Sequence, residues 1–583
     1  MKRHGRGISG WLVFGVALGA TLAAMLVQQA IRNVWQVRSL PERTMESLLV
    51  LVPLDLFERG LQQFGASAKD IALVGTYIGM AALLVLAGWC VVRAGSAWLC
   101  LLLGVALWLV AMLVVLPLTG AGVFGDGLFV NPLLTAAAFG CVFGTYAAVL
   151  ALGVGAFASQ PRAARTPSQE RRDLLVGLGG TVATLFAFGI ARYAAGSGGG
   201  PQSSLPLAAA PTQGAPAPTA AATSTTSTLS TTASATAGVA PTAAPQLTAG
   251  PTAVVFPTPA PVRAVSRDQE GSLTAAGRQP GNLAPAITRN QDFYVVTKNA
   301  VADPVVDAAS WRLIIDGEVA YPVQLDYATL LALPSVEVTK TLECISNLTA
   351  GCNMASFGCD LMSTAAWRGV PVSAVLDLAG GLKAGVVDVA FLAADEFSAG
   401  LPMDAVLDPG TLLVYQMNGD VLPREHGYPA RLLVPGRYGM KNPKWLAGIR
   451  ALSQPYADWY QQRGWTRTGI VKTMSRIDVP AHGSALASGT QMAAGVAYAG
   501  DRGITQVELS ADGGATWQPA MLLEPPPGKD VMVRWQASFE MGNAPQTLVV
   551  RATDGTGVVQ ADDFGLPAPD GGWGQDSIDV NPA

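Results

Sequence analysis

Charge is what this chain has least of: only 13% of its 583 residues are Asp, Glu, Lys or Arg, while half are hydrophobic. That excludes an ordinary soluble protein throughout. Histidine is nearly absent too, at His4, His426 and His482. None of the three lies in a long apolar run, and a membrane b-type haem takes two axial histidines, so no haem is expected in this chain. Cysteine is sparse. Cys90, Cys100 and Cys141 sit in hydrophobic runs, whereas Cys344, Cys352 and Cys359 sit in the polar half, where one disulfide would leave an odd thiol. The length suggests two to four domains. Residues 1–262 hold 14 Lys/Arg against 8 Asp/Glu, and residues 263–583 hold 23 against 33. An acidic second half argues against a nucleic-acid partner, which selects a basic face.

Five uncharged apolar runs, at 8–27, 71–92, 97–118, 133–158 and 174–191, are long enough, or nearly so, to cross a ~30 Å hydrocarbon layer as helices. Lys2, Arg3, Arg6, Arg93, Arg162, Arg165, Arg171 and Arg172 all fall on one side if the N-terminus is cytoplasmic. The loop 28–70 dissents with five basic residues, joined by Arg192, but it carries five acidic residues as well. Residues 47–65 within it are expected to form a short helix in the membrane interface. Five crossings put the second half of the chain outside the cytoplasm. Arg171-Arg172, directly before the last run, resembles a twin-arginine export signal placed internally.

Residues 193–262 hold no charged residue; Ala, Pro, Thr, Ser and Gly dominate. Such a segment buries too little apolar surface to offset chain entropy and reads as a disordered tether.

Chemistry concentrates further on. Thr341-Leu342-Glu343-Cys344-Ile345-Ser346-Asn347 is answered about eighty residues later by His426-Gly427-Tyr428-Pro429-Ala430-Arg431-Leu432 and then Lys444-Trp445. A thiolate is a soft ligand for a polarisable metal. Glycines with Arg and Lys supply the close backbone approach and positive charge that a phosphate needs. Together with Val507-Glu508-Leu509-Ser510-Ala511-Asp512-Gly513-Gly514, these segments resemble the sulfite oxidase family of molybdopterin-dependent oxidoreductases over residues 287–583.

The resemblance implies a molybdenum–molybdopterin cofactor with Cys344 as the protein ligand to the metal. It implies cofactor contacts from Thr297, Lys298, Asn347, Asp395, His426, Arg431 and Lys444. At the substrate end it implies Trp367 and, in place of the family's tyrosine, Trp465, with Arg463 as a nearby cation. The family's sulfite-binding arginines are missing at Val296 and near Thr349, so a neutral sulfoxide is as good a substrate as sulfite. Cys352 and Cys359 lie in an apparent insertion and are expected to pair.

The expected architecture is multidomain: an all-α anchor of five transmembrane helices (1–195), a disordered linker (196–286), an α+β molybdopterin domain (287–468) and an all-β immunoglobulin-like dimerisation sandwich (469–583). Asp512-Gly513-Gly514 reads as a hairpin turn in preference to a calcium loop. Expected partners are a small-molecule substrate, the lipid bilayer, a second copy in a homodimer, and a separate electron carrier such as a cytochrome or quinone-linked protein. The activity implied is oxygen-atom transfer. The rival readings are a catalytically silent pterin-binding or structural module, and a transporter or sensor; the lack of charged residues inside the spans weakens the transporter.

Overall fold

A computed structural model describes residues 10–52, 67–126, 131–158, 281–299, 302–348 and 360–583, with a few isolated positions between. The fifth apolar run, Arg171-Arg172, most of the tether, Thr349 and the Cys352/Cys359 pair lie outside the described residues.

Four helices among the described residues are long and apolar enough to cross a membrane. They are α1 (Gly10–Trp35), α3 (Ser67–Ala94), α4 (Ala97–Val110, continued through a π turn to Leu118) and α5 (Pro132–Ala158). Small residues let them approach closely. A Cβ on Gly104 would lie 2.5 Å from the Ala147 Cβ, and one on Gly153 would lie 2.4 Å from Val16.

Between α1 and α3 lies α2, and it corrects the sequence reading. The helix runs Leu40–Leu51, starting before the expected 47–65 segment, most of which lies outside the described residues, because Ser39 and Glu42 close a capping box around Pro41. Nor do its flanking cations face lipid headgroups. Arg32 pairs with Glu42 at 3.2 Å, Arg38 with Glu46, and Arg43 with Glu396 at 2.6 Å. Three of the charges that dissented from the positive-inside count, Arg32, Arg38 and Arg43, are therefore neutralised inside the protein.

The middle of the chain folds as α+β. Its first sheet contains β3 (Val336–Glu343), β4 (Met362–Pro371), β7 (Leu412–Met417) and β8 (Asp420–Val421) in the order β8-β7-β4-β3, with β9 (Arg431–Leu433) also on β7. The second runs β2-β1-β10-β5-β6, from Val323–Asp326, Arg312–Gly317, Leu446–Leu452, Asp388–Ala393 and Ser398–Pro402. Pairing is antiparallel except between β10 and β1. Trp311, Leu313, Phe391 and Val375 fill the space between these elements.

Residues 474–582 form two further sheets around Trp535, Phe539, Leu509 and Val550. Val533–Met541 and Asp576–Pro582 alternate buried and less buried residues. Asp512 accepts from the Thr516 amide at 2.8 Å and ends in a turn. This part also braces β3: Tyr498 Oη donates to Thr341 O at 3.0 Å, Met532 N donates to Thr341 Oγ1 at 2.8 Å, and Lys340 pairs with Asp530.

Candidate active site

β3 ends at Glu343 and delivers Cys344 into a tight turn. Cys344 N donates to Leu361 O, and Asn347 N donates to Cys344 O, each at 2.9 Å. Asn347 secures this turn rather than lining the cavity beyond it: its Nδ2 donates to Glu343 Oε1 at 2.8 Å and its Oδ1 accepts from Leu361 N at 3.0 Å. The Cys344 thiol lies 3.4 Å from Ser346 Oγ, and burial raises its pKa. The remaining influences on it come from Ser346 and Glu343; no Lys or Arg is among them. Facing it is Gly439, where a Cβ would sit 2.9 Å from Tyr294 Oη and 4.0 Å from Cys344 Cα. Only bare backbone fits there.

The cavity behind the thiol has a volume of about 90 Å³ and opens to solvent. Its walls include Cys344, Phe293, Tyr294, Thr297, Lys298, Asp395, His426, Gly439, Arg431, Lys444 and Tyr460. His426 closes a short 3-10 turn that ends at Gly427 with φ 114°. A side chain at Gly427 would meet Lys444 Cβ at 2.9 Å and Arg431 Cβ at 3.0 Å, so this glycine is what lets the two cations converge. His426 Nε2 lies 3.3 Å from Asn290 O, which can only accept, so Nε2 carries the proton. Burial first, then Arg431 and Lys444, pushes the imidazole pKa down to about 3, leaving it neutral at pH 7.

Arg431 and Lys444 are buried cations whose hydrogen bonds go to carbonyl oxygens. Arg431 donates to His426 O at 3.1 Å and Asn442 O at 3.0 Å; its buried Nε has no partner. Lys444 donates to Val296 O at 3.1 Å and Glu425 O at 2.9 Å. Among the described residues neither is in an ion pair. Burial lowers Arg431 to about 10 and Lys444 to about 8. Cations buried at this cost call for an anion, and a cavity with a thiol at one end and such a cradle at the other suits a metal-bearing organic phosphate. The residues fit a molybdopterin.

The remaining expected residues divide. Thr297, Lys298 and Asp395 reach the cavity wall. Asp395 accepts from Asn299 Nδ2 and the Phe397 amide, each at 3.1 Å, and Lys298 Nζ lies 3.4 Å from Glu46 Oε1. Trp367, Arg463 and Trp465 do not line the cavity. Trp367 points into the core from β4, donates to Lys340 O at 3.2 Å and lies 5.4 Å from the Arg431 guanidinium. Arg463 is drawn outward, stacking 3.5 Å from the Trp459 ring centroid and donating to Glu46 O at 3.2 Å. Trp465 packs edge-on at 5.8 Å against Tyr460, and it is Tyr460 that faces the cavity. Tyr294 and Tyr460 were missed; Tyr294 is buried and Tyr460 half-buried, with desolvation first and Cys344 next raising their phenol pKa values. Their only signal was an aromatic beside a motif residue.

Matches to known families agree with this geometry. Residues 300–460 match an oxidoreductase molybdopterin binding domain, and residues 467–565 match a Mo-co oxidoreductase dimerisation domain. The two together define a molybdopterin-dependent oxidoreductase. Mitochondrial sulfite oxidase of Rattus norvegicus is 31% identical over 270 residues, 40% of this chain and 49% of the rat protein. Sulfite oxidase of Gallus gallus is 29% identical over 47% of this chain and 68% of its own, and nitrate reductase of Hordeum vulgare is 29% identical over 43% and 34%. The chain thus spans about half the length of the rat relative. Residues 300–565 carry the two domains of a molybdopterin-dependent oxidoreductase and are similar to sulfite oxidases.

Proposed function

We propose that this chain is a membrane-anchored oxidoreductase that holds molybdopterin outside the cytoplasm and transfers an oxygen atom to or from a small sulfur-oxo or related substrate. The observation that carries this is the placement of Cys344 and the unpaired cations Arg431 and Lys444 on one cavity wall. Cys344 would hold the metal. Arg431, Lys444 and the neutral His426 would hold the pterin and its phosphate, with Thr297, Lys298 and Asp395 along the rim. Bound there, the cofactor supplies a two-electron centre able to exchange an oxygen atom.

The chain's own part is to orient and to exclude water. Tyr294, Tyr460 and Phe293 surround the thiol end with aromatic surface, and both phenols stay protonated as donors. With Val296 and Thr349 where the family places its sulfite-binding arginines, this end favours a neutral substrate such as a sulfoxide over a dianion.

The contact between the end of α1 and the catalytic domain supports the outer location. Arg32 Nη2 donates to Ala302 O at 3.1 Å and Gln36 Nε2 to Val305 O at 2.8 Å, so the end of α1 and the catalytic domain share one face of the bundle. Four crossings return a chain to the side where it began. The apolar run 174–191, which lies outside the described residues, would supply the fifth. Arg171-Arg172 before it serves export, a second copy joins through residues 469–583 in an immunoglobulin-like sandwich, and electrons leave to a separate carrier.

The test is metal and pterin analysis of the purified full-length protein, X-ray absorption at molybdenum, and dye-coupled turnover with a sulfoxide and with sulfite. Expected are one molybdenum per chain, a cysteinyl sulfur contribution that Cys344→Ser removes, and faster turnover of the sulfoxide. Metal and pterin without turnover on either substrate would assign the silent module; wild-type protein without pterin would end the proposal.

A further inference from the structure

The rim of the cavity is made by three separate loops, and all three are gripped by the membrane anchor. The first carries Lys298, whose ammonium meets Glu46 of α2 at 3.4 Å. The second is the turn after β5, in which Asp395 lines the cavity and Glu396, at φ 67°, takes the Arg43 guanidinium in a two-pronged contact of 2.6 and 2.7 Å. Arg38 adds a second cation to Glu396 at 3.4 Å while also bonding Glu46. The third carries Tyr460. It ends in Arg463, which donates to Trp459 O at 2.6 Å and to Glu46 O of α2 at 3.2 Å.

We propose that α2 with its leading turn, Arg38 to Glu46, is a clasp that holds the cavity rim in shape, so that the anchor is a working part of the active site as well as a tether. This rests on the cavity being the cofactor site. Arg38, Arg43 and Glu46 are positioning residues: none of them lines the cavity; Glu46 acts through Lys298, which does, and Arg38 and Arg43 act through Glu396, which stands in the chain between the lining residues Asp395 and Phe397. The side chain of Arg43 is 2% exposed and that of Arg38 is 8% exposed. Glu396 keeps 24% of its side chain exposed, but pairs whose cation is this desolvated hold their geometry better than surface pairs do, and removing Glu396 would strand the arginines. Glu396 is strained by its positive φ, and such a residue persists only when its surroundings over-determine it. Arg43 and Arg38 supply that determination. A soluble relative would need another way to fix this turn; here the membrane domain does it. The physical consequence is that cofactor retention and anchor docking are coupled.

The experiment uses full-length protein in detergent micelles, comparing wild type with Arg43→Glu, Arg43→Lys and Glu46→Gln. Hydrogen–deuterium exchange is followed at residues 394–399 and 296–299, with strand Gly489–Tyr498 as internal reference, and molybdenum and pterin are measured after extended dialysis. Arg43→Glu is expected to speed exchange in both rim segments by about tenfold or more while the reference strand is unchanged, and to lose cofactor several-fold faster. Arg43→Lys should restore most of the protection, and Glu46→Gln should loosen 296–299 more than 394–399. Unchanged rim exchange in Arg43→Glu overturns the clasp, as does an equal rise across the reference strand. Wild type that binds no pterin defeats the proposed function, yet leaves the exchange comparison able to decide whether the clasp exists.

Discussion

Two places in this protein bury arginine and lysine close together, and they treat the charge in opposite ways. At the clasp, Arg38, Arg43 and Lys298 face Glu46 and Glu396. In the cavity, Arg431 and Lys444 face carbonyl oxygens. The acid–base behaviour follows. Burial pulls Arg38 down, but Glu396 and Glu46 outweigh it and raise its pKa, whereas Arg431 and Lys444 have nothing to outweigh burial and fall. A buried cation with a carboxylate is structure; a buried cation without one is a binding site held open at the expense of stability.

The comparison breaks most sharply at a paired site beneath the cavity floor. Lys441 and Asp458 form an ion pair in which the side chains are 0% and 1% exposed. Asp458 also accepts from the amides of Gly400 at 3.0 Å, Tyr460 at 3.1 Å and Gln461 at 3.0 Å. Asp458→Ala should cost about 3–5 kcal/mol of catalytic-domain stability, read by urea unfolding, because it strands Lys441. Gly427→Ala comes next. It places a Cβ against Lys444 and Arg431 at φ 114° and should cost about 1–3 kcal/mol, with weaker cofactor retention.

Arg431→Met has the opposite sign. Removing an unpaired buried cation should raise the stability of cofactor-free protein by on the order of 1 kcal/mol, while abolishing stable cofactor binding. Thermal unfolding of the apo protein, set beside pterin content, checks both halves. A loss of apo stability in Arg431→Met would mean that the cavity cations are structural after all.

Much of the cavity was legible in sequence because its parts are backbone-driven. Cys344 follows a strand of apolar and β-branched residues, and Gly427 with Arg431 and Lys444 is a compact local pattern. What was not legible was side-chain direction. Trp367 and Trp465 sit in the right segments but turn into the core and onto Tyr460, a choice made by packing from distant elements. Arg463 was visible as a cation near the site, but its capture by Trp459 and by Glu46, 417 residues away, has no local signature. The α2 clasp was hidden for the same reason. Its arginines counted as votes against the topology until Glu396, across the tether, accounted for Arg43. The Ser39–Glu42 capping box was the one local clue to where α2 begins, and it was overlooked.

The smallest predicted effect separates the two charge systems by pH. Burial alone would raise Glu46, but Lys298 and Arg38 outweigh it and hold its pKa at about 2, against an ordinary 4.5. A carboxyl whose folded pKa is depressed stabilises the fold fully above its unfolded value and loses that contribution as pH falls through the folded one. The clasp should therefore weaken between about pH 4.5 and pH 2, where Glu396, also held below the ordinary carboxylate range against burial by Arg43 and Arg38, protonates too. Arg431 and Lys444, at about 10 and about 8, stay charged across that window. Acidification should thus free the rim loops while the cation cradle keeps its charge. Exchange at 296–299 rising on acidification, with a smaller rise in Glu46→Gln, is the expected outcome. An acid response of equal size in Glu46→Gln would place the sensitive group elsewhere, and the division between paired and unpaired charge would no longer account for it.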